Sequence, residues 1–316
     1  MRVVITGGSG LIGRAVAASL AAEGNEVVVL SRDPARVRGL PAGVRAAHWD
    51  GRAAAGWETL LEGRSAVINL AGEAIAAGRW TEERKRRIRV SRVDAGRAVV
   101  DAMRLAAEEG RAPAVVLQAS GIGYYGDTGD QEIGEDHPPG GDFLAEAAIA
   151  WEASTAEVET LGVRRVVLRT GVVLDRAGGA LAKMLPPFRL GLGGRLGGGH
   201  QWFPWIHMAD EVGAILFLLA TAAASGPFNL CAPLPVQNRD FARALGRQLR
   251  RPSILPAPAP ALRLALGELA EALLGGQRAH PRRLLAAGYR FRHPDLPEAL
   301  ADLLARPKHR PSSEAR

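Results

Sequence analysis

Gly7, Gly10 and Gly13 stand three residues apart in Thr6-Gly7-Gly8-Ser9-Gly10-Leu11-Ile12-Gly13, between an apolar run and an amphipathic one. That spacing lets the backbone turn sharply, approach a pyrophosphate, and pack a helix on a sheet, with the helix N-terminus facing the phosphates. Gly7, Ser9, Gly10, Leu11, Ile12 and Gly13 are therefore read as a dinucleotide cradle. The next apolar run ends Leu30-Ser31-Arg32-Asp33, where NAD-selective sites commonly place a carboxylate for the adenine-ribose hydroxyls. Arg32 offers a 2′-phosphate a planar, permanently charged fork, and Ser31 adds a hydroxyl donor. NADP(H) is thus expected in preference to NAD(H). Asp33 keeps the NAD alternative open, because a one-residue shift of the loop would bring it to the ribose.

These groups need elements to hold them. Residues 2–6 and 27–30 read as strands buried on both faces of a parallel sheet. A helix from residue 11 to 23 carries Leu11, Ile12, Ala15, Val16 and Leu20 on one stripe and stops at Gly24-Asn25. Residues 65–72 and 114–120 read as further buried strands ending in small residues, separated by a long helix over 81–109, and 164–169 is another strand. The repetition predicts an α/β, Rossmann-like, doubly wound parallel sheet.

Strand ends place the remaining candidates at the carboxyl edge. Ser120 is expected beside the nicotinamide. Tyr124 and Tyr125 follow it and are read either as proton-transfer groups or as loop aromatics capping the cleft. Trp49 and Asp50 are expected to edge the adenine.

The second half changes character. Residues 191–200 contain six glycines, too many for a helix or strand, and predict a mobile loop. It leads into Gln201-Trp202-Phe203-Pro204-Trp205, read either as a lid with an apolar substrate wall or as the core of a smaller lobe. Gln201, Trp202, Trp205 and Lys183 are the substrate-side candidates. His207 and Asp210 are read as structural joints. Residues 252–260 suggest an extended linker, 262–274 a helix, and 282–287 a short helix. The division expected is a dinucleotide-binding domain over 1–175, with segments of roughly 200–230 returning to it, a C-terminal substrate lobe over 176–303, and a disordered tail over 304–316.

With 316 residues and 47% apolar composition the chain can bury a large core. The lone Cys231 excludes an intrachain disulfide and fits a reducing compartment. No signal peptide is expected ahead of a glycine loop this early in the chain, and the longest apolar run, 212–224, is too short to span a bilayer. A cytoplasmic protein without a membrane partner is expected. The net charge of +7 raises nucleic-acid binding, with 84–89 the densest basic run. Glu82 and Glu83 lie at helical pairing distance and no aromatics interleave the run, so a solvated helix face is the reading, with no nucleic-acid partner. The histidines are too scattered to suggest a metal site. The expected partner is a small-molecule substrate, and the expected state a monomer or homodimer.

The order of Thr6 to Gly13, Asn69-Leu70-Ala71-Gly72, Ser120 to Gly126, Leu168-Arg169-Thr170-Gly171 and Trp205-Ile206-His207-Met208-Ala209-Asp210 resembles the extended short-chain dehydrogenase/reductase superfamily, the nucleotide-sugar epimerases and dehydratases. Gly123-Tyr124-Tyr125-Gly126-Asp127, Phe143-Leu144-Ala145-Glu146, Trp151-Glu152, Gln201 to His207 and Pro281 to Phe291 resemble its epimerase-like family 39U branch, over about residues 1–303. The resemblance implies that Asn69, Leu70, Ala71 and Gly72 line the adenosine and ribose side, and that Thr170 and Gly171 contact the nicotinamide end. It also implies hydride chemistry by a tyrosine and a lysine four residues later, the cation lowering the phenol's pKa. This chain lacks that pair: Tyr124, Tyr125 and Tyr289 are followed four residues on by Thr128, Gly129 and His293, and the helix around 142–152 offers Phe143 with Ala147 or Leu144 with Ala148. Three readings stand. The chain is an NADP(H)-dependent oxidoreductase or epimerase whose proton group has moved to Tyr124 or Tyr125, helped by Ser120, or to Lys183 or His207; it binds NADP(H) without turnover as a sensor; or the cofactor is structural and a C-terminal cleft handles a small molecule.

Overall fold

A computed structural model describes residues 1–305. The chain runs β1 (Arg2–Thr6), α1 (Leu11–Ala22), β2 (Glu26–Ser31), β3 (Val44–His48), β4 (Ala66–Asn69), α2 (Glu82–Glu108), β5 (Val115–Gly121) and β6 (Glu132–Ile133). It continues through α3 (Phe143–Ala153), β7 (Arg164–Thr170), β8 (Val172–Leu174), α4 (Gly179–Arg189), β9 (Trp202–Phe203), β10 (Trp205–His207), α5 (Met208–Ala220) and β11 (Gly226–Leu230). The last part is β12 (Val236–Gln237), α6 (Asn238–Leu249), α7 (Ala259–Leu266), α8 (Leu269–Leu274), β13 (Arg278–Ala279), α9 (Arg282–Ala286) and α10 (Leu296–Leu304).

Seven strands form one parallel sheet in the order β11-β7-β5-β4-β1-β2-β3. The chain leaves β1 toward β2 on one side and returns to β4 on the other, so the carboxyl ends of β1 and β4 flank the crevice where such sheets bind ligands. Alternation along β1 explains why both faces are covered. Val3 and Ile5 pack with Val16, Leu20, Ile215 and Leu218 of α1 and α5, whereas Val4 packs with Val99 and Met103 of α2. A doubly wound sheet is the architecture expected of this sequence, and it is the one found.

Thr81 caps α2, its hydroxyl accepting from the Arg84 amide at 3.2 Å. The basic run on this helix is laced to carboxylates, including Lys85 to Glu268 at 2.8 Å, Arg86 to Glu83 at 3.0 Å and Arg89 to Glu146 at 3.0 Å. C-terminal to the main sheet, α4, α6 and α10 enclose Trp205, Phe241, Leu245 and Leu300. The chain then returns: β13 pairs with β6, next to the carboxyl end of β5.

Two expectations need revision. The stretch 262–274 is two helices, because Gly267 turns between α7 and α8 with φ +62°. The glycine-rich stretch 191–200 is pinned rather than free: Leu196 donates its amide to Asn238 Oδ1 at 2.8 Å, Gly197 to the Ala257 carbonyl at 2.8 Å, and Ala257 to the Arg195 carbonyl at 2.9 Å. Its glycines permit close backbone packing rather than motion. Of the tail expected over 304–316, Leu304 closes α10, and the part from residue 306 onward lies outside the described residues. Among the described residues no helix is long and apolar enough to cross a membrane.

Candidate dinucleotide cleft and adjoining pocket

The glycine loop is built for close approach. Gly7 has φ +67°, and a Cβ there would lie 2.7 Å from the Leu70 carbonyl carbon. A Cβ on Gly13 would lie 2.5 Å from the Gly7 carbonyl oxygen. Helix α1 starts after Gly10 with no side-chain cap, leaving the first-turn amides of Leu11, Ile12 and Gly13 for an external acceptor. Ser9, exposed at the tip, is braced through its carbonyl by Arg14 Nε at 2.7 Å. A cradle without side chains under an uncapped helix end fits a diphosphate.

The ribose end is defined at the carboxyl end of β2. Ser31 Oγ accepts from the Asp33 amide at 3.2 Å, and the Asp33 carboxylate pairs with Arg36 at 3.1 Å. Arg32 is exposed and, among the described residues, no carboxylate pairs with its guanidinium. Asp50 Oδ1 accepts the amides of Arg52 and Ala53, both at 2.8 Å, and these bonds hold its carboxyl below the usual range. Trp49 differs from expectation. It is 5% exposed, packs edge-on to Trp57, and donates Nε1 to the Ala53 carbonyl at 2.8 Å, so its ring belongs to the core rather than to an adenine wall.

Asn69 is likewise committed internally. Fully buried, it accepts from Thr6 Oγ1 at 2.5 Å and donates to Gln118 Oε1 at 2.8 Å, tying β1, β4 and β5 together. The Leu70 and Ala71 amides bond to Thr6 Oγ1 at 3.2 Å. The turn through Gly72 therefore reaches the crevice with its backbone fixed.

Beyond the carboxyl ends of β5 and β7 lies a cavity of about 280 Å³. Ser120, Thr170 and Gly171 line it on the sheet side, and Leu144, Ala147 and Trp151 on the α3 side. The α3 side of the cavity is thus apolar. Ser120 donates to Glu152 Oε1 at 2.7 Å, and Arg169 grips the same carboxylate at 2.9 and 3.0 Å. The Arg169 guanidinium also donates to Tyr125 Oη at 2.9 Å and lies 3.5 Å from the Tyr124 ring centroid.

Tyr124 and Tyr125 are therefore not brought to the pocket; neither lines it. Tyr125 is 2% exposed and donates to Asn229 Oδ1 at 2.7 Å. Burial pushes its phenol up to about 12, against a smaller opposing pull from Arg169. A phenol held that high is a poor base. Thr170 donates to Glu211 Oε1 at 2.9 Å, and complete burial raises the Glu211 carboxyl to about 8. Gly171 accommodates Pro204, whose carbonyl oxygen would lie 2.2 Å from a Cβ at that position.

Residues 3–231 match the model of the NAD-dependent epimerase/dehydratase family, and residues 257–303 that of a domain of unknown function, DUF1731. The chain belongs to the NAD-dependent epimerase/dehydratase family. It is similar to epimerase family protein MT2273 of Mycobacterium tuberculosis, 41% identical over 96% of this chain and 98% of that one. It is also similar to human epimerase family protein SDR39U1, 38% identical over 96% of this chain and all of the relative. A crystal structure of the human protein (isoform 2) with NADPH superposes with a TM-score of 0.86 at 36% identity, covering 96% of this chain and 99% of that one. A UDP-glucose 4-epimerase from Thermus thermophilus, at 21% identity and a TM-score of 0.74, shares the fold.

Within this family member the remaining candidates lie apart from the cavity wall. Lys183 Nζ donates to the Ala76 carbonyl at 2.8 Å, linking α4 to the segment after β4. Gln201 Nε2 donates to the Leu196 and Leu273 carbonyls at 3.1 and 3.0 Å, and Trp202 Nε1 to Asp130 Oδ1 at 2.8 Å. Trp205 is 1% exposed inside the C-terminal cluster. Gln201 and Trp202 are tied down by these bonds and Trp205 by burial, whereas Lys183 is an exposed side chain. His207 Nδ1 accepts from the Ala209 amide at 3.0 Å, and its ring stacks on His293 at 3.9 Å. Asp210 accepts from the Arg292 and His293 amides at 2.7 and 2.9 Å, anchoring the chain before α10. His207, His293 and Asp302 bring three potential ligand atoms within 4.8 Å of one another, a convergence the scattered sequence positions conceal.

Arg92 and Glu211 are polar groups that sequence reasoning missed, and Arg169 and Glu152, which stand in the resemblance motifs, were given no role of their own. Arg169 carried a readable signal, a charge inside an apolar strand. Arg92 was hidden in a helix rich in exposed arginines.

Proposed function

We propose that this protein is an NADP(H)-preferring oxidoreductase-type member of the family. NADP(H) is held with its diphosphate at the glycine loop, its 2′-phosphate at Ser31 and Arg32, and its nicotinamide end toward Ser120, Thr170 and Gly171. The observation that carries this reading is the state of β2's end: Arg32 is unpaired by any described carboxylate, while Asp33, the group an NAD site would use, is paired with Arg36. The NADPH in the human relative's crystal structure supports it. The nicotinamide supplies a hydride donor or acceptor when bound. Ser120, whose proton goes to Glu152, lines the pocket and accepts from a ligand hydroxyl. The substrate is a small molecule met by a monomer or homodimer in a reducing, cytoplasmic setting, consistent with the buried free thiol of Cys231.

A second reading, cofactor binding without turnover, has its own observation. No tyrosine lines the pocket, and its α3 side is apolar. Titration of cofactor-free protein with NADPH and NADH, followed by nicotinamide fluorescence, tests the cofactor reading. NADPH is expected to bind about tenfold to hundredfold more tightly, the worth of one or two charge-assisted hydrogen bonds. Equal or NADH-favoured binding overturns it. Tight binding without nicotinamide absorbance change across a panel of carbonyls, alcohols and nucleotide sugars selects the second reading.

A further inference from the structure

Arg92 projects from the buried face of α2 into the pocket wall and is 7% exposed. A guanidinium has five N–H donors and cannot be neutralised at ordinary pH. Two are used: Nη1 donates to the Glu73 and Ile88 carbonyls, both at 3.0 Å. Among the described residues no acceptor is found for Nε or Nη2. The charge is also unmatched. The nearby Glu73 carboxylate is turned to Arg84 at 3.7 Å and Arg87 at 3.4 Å. The carboxylates that share the pocket wall are occupied too: Asp127 Oδ1 accepts from the Gly129 and Gly276 amides at 3.2 and 3.1 Å, Asp142 Oδ1 from the Ala145 amide at 2.9 Å, and Glu271 pairs with Arg263 at 2.7 Å.

The surroundings hold this side chain in place. Its guanidinium carbon lies 4.7 Å from the centroid of the Trp151 ring. A Cβ on Gly72 would come within 3.0 Å of the same carbon, so the turn after β4 is shaped to let the guanidinium pass. Burial lowers the Arg92 pKa to about 10, with the Glu73 field opposing in part, which leaves the group cationic at neutral pH. A desolvated cation with three free donors, facing a cavity, is what a ligand anion would complete.

Resting on the reading of this cavity as the substrate site, we propose that it takes a small, largely apolar molecule bearing a carboxylate, received by Nε and Nη2 of Arg92 with its apolar body against Leu144, Ala147 and Trp151. Arg92 is then the specificity-determining residue of the pocket, and Ser120, its proton held by Glu152, accepts from a second polar group of the ligand.

The test uses benzoate and its uncharged analogue benzyl alcohol, titrated calorimetrically into the full chain with and without saturating NADPH. Benzoate is expected to bind about tenfold or more tightly than benzyl alcohol. Arg92→Met is expected to abolish that preference while leaving NADPH affinity within about twofold, and Arg92→Lys to retain part of it as a point charge. Equal binding of the two probes, or no benzoate binding, overturns the proposal on the wild-type protein without any variant. A parallel loss of NADPH affinity in Arg92→Met also overturns it, assigning the guanidinium to the cofactor. Failure of NADPH to bind at all, with the benzoate preference intact, overturns the cofactor reading alone.

Discussion

Replacing Glu211 by Gln should remove a specific part of the protein's pH-dependent stability. Glu211 is 1% exposed on α5, and its one hydrogen-bonding partner among the described residues is the Thr170 hydroxyl at 2.9 Å. Burial raises its carboxyl from an ordinary 4.5 to about 8. The folded state therefore holds a proton that the unfolded state has released, and stability falls as pH rises between those values. The contribution is fully present below about pH 4.5 and lost above about pH 8. Linkage gives a loss on the order of 3 kcal/mol between about pH 5.5 and pH 8.5. Gln keeps the shape and the acceptor but cannot ionise. Urea unfolding at half-unit pH steps should show wild type and Glu211→Gln converging below about pH 4.5, diverging by about 3 kcal/mol between about pH 5.5 and pH 8.5, and leaving the variant about 4–5 kcal/mol more stable at pH 8.5. The comparison cancels other titrating groups, such as Glu135 and His207, whose pKa values burial also shifts. Parallel curves across the range would refute the reasoning, showing that Glu211 is ionised in the folded protein.

Arg32→Ala should weaken NADPH binding by about tenfold to hundredfold and leave NADH unchanged, measured by fluorescence titration, because it removes only the contact to the 2′-phosphate. Gly13→Ala should abolish binding of both cofactors and cost on the order of 2 kcal/mol in urea unfolding, since its Cβ meets the backbone oxygen of Gly7 at 2.5 Å. Tyr125→Phe should lower stability by about 1–3 kcal/mol, leaving Asn229 Oδ1 and Arg169 Nη1 each short of a partner. Its cofactor affinity should match wild type, and a selective loss of turnover with unchanged stability would restore Tyr125 to the chemistry.

The sheet was legible because its signals are local. β1, β2, β4, β5 and β7 are apolar runs bounded by glycine or small polar residues, and the glycine loop sits between a strand and a helix. What the sequence could not convey is which partner each polar group finds. Trp49 and Asn69 stand at strand ends, where ligand contacts are common, but one ring is taken up by Trp57 and the other amide by Thr6 and Gln118. Tyr125 lies a few residues past β5, and only the arrival of Arg169 from β7 and Asn229 from β11 shows that its hydroxyl points into the protein. Gly193 and Gly194 are glycines where Phe188 and Leu255 crowd their backbone, a constraint written elsewhere in the chain.

Two buried arginines separate structure from function by the same test. Arg169 is 5% exposed and nearly complete: it pairs with Glu152 through two nitrogens and donates to Tyr125 Oη and the Glu135 carbonyl. Arg92, in the wall of the cavity, is buried almost as deeply but pairs with no described carboxylate and has three donors without a described acceptor. Removing a matched charge strands its partner, so Arg169→Met should cost about 3–5 kcal/mol by leaving Glu152 uncompensated. Removing an unmatched charge relieves desolvation, so Arg92→Met, close in volume and still able to pack on Trp151, should unfold within about 1 kcal/mol of wild type or later than it. Urea denaturation of both variants at neutral pH measures the contrast. If Arg92→Met were as damaging as Arg169→Met, the Arg92 charge would have a partner in the folded protein, and its open donors would be no sign of a ligand. If it is neutral or stabilising, the fold has kept a costly cation that its own stability does not require, as binding sites do.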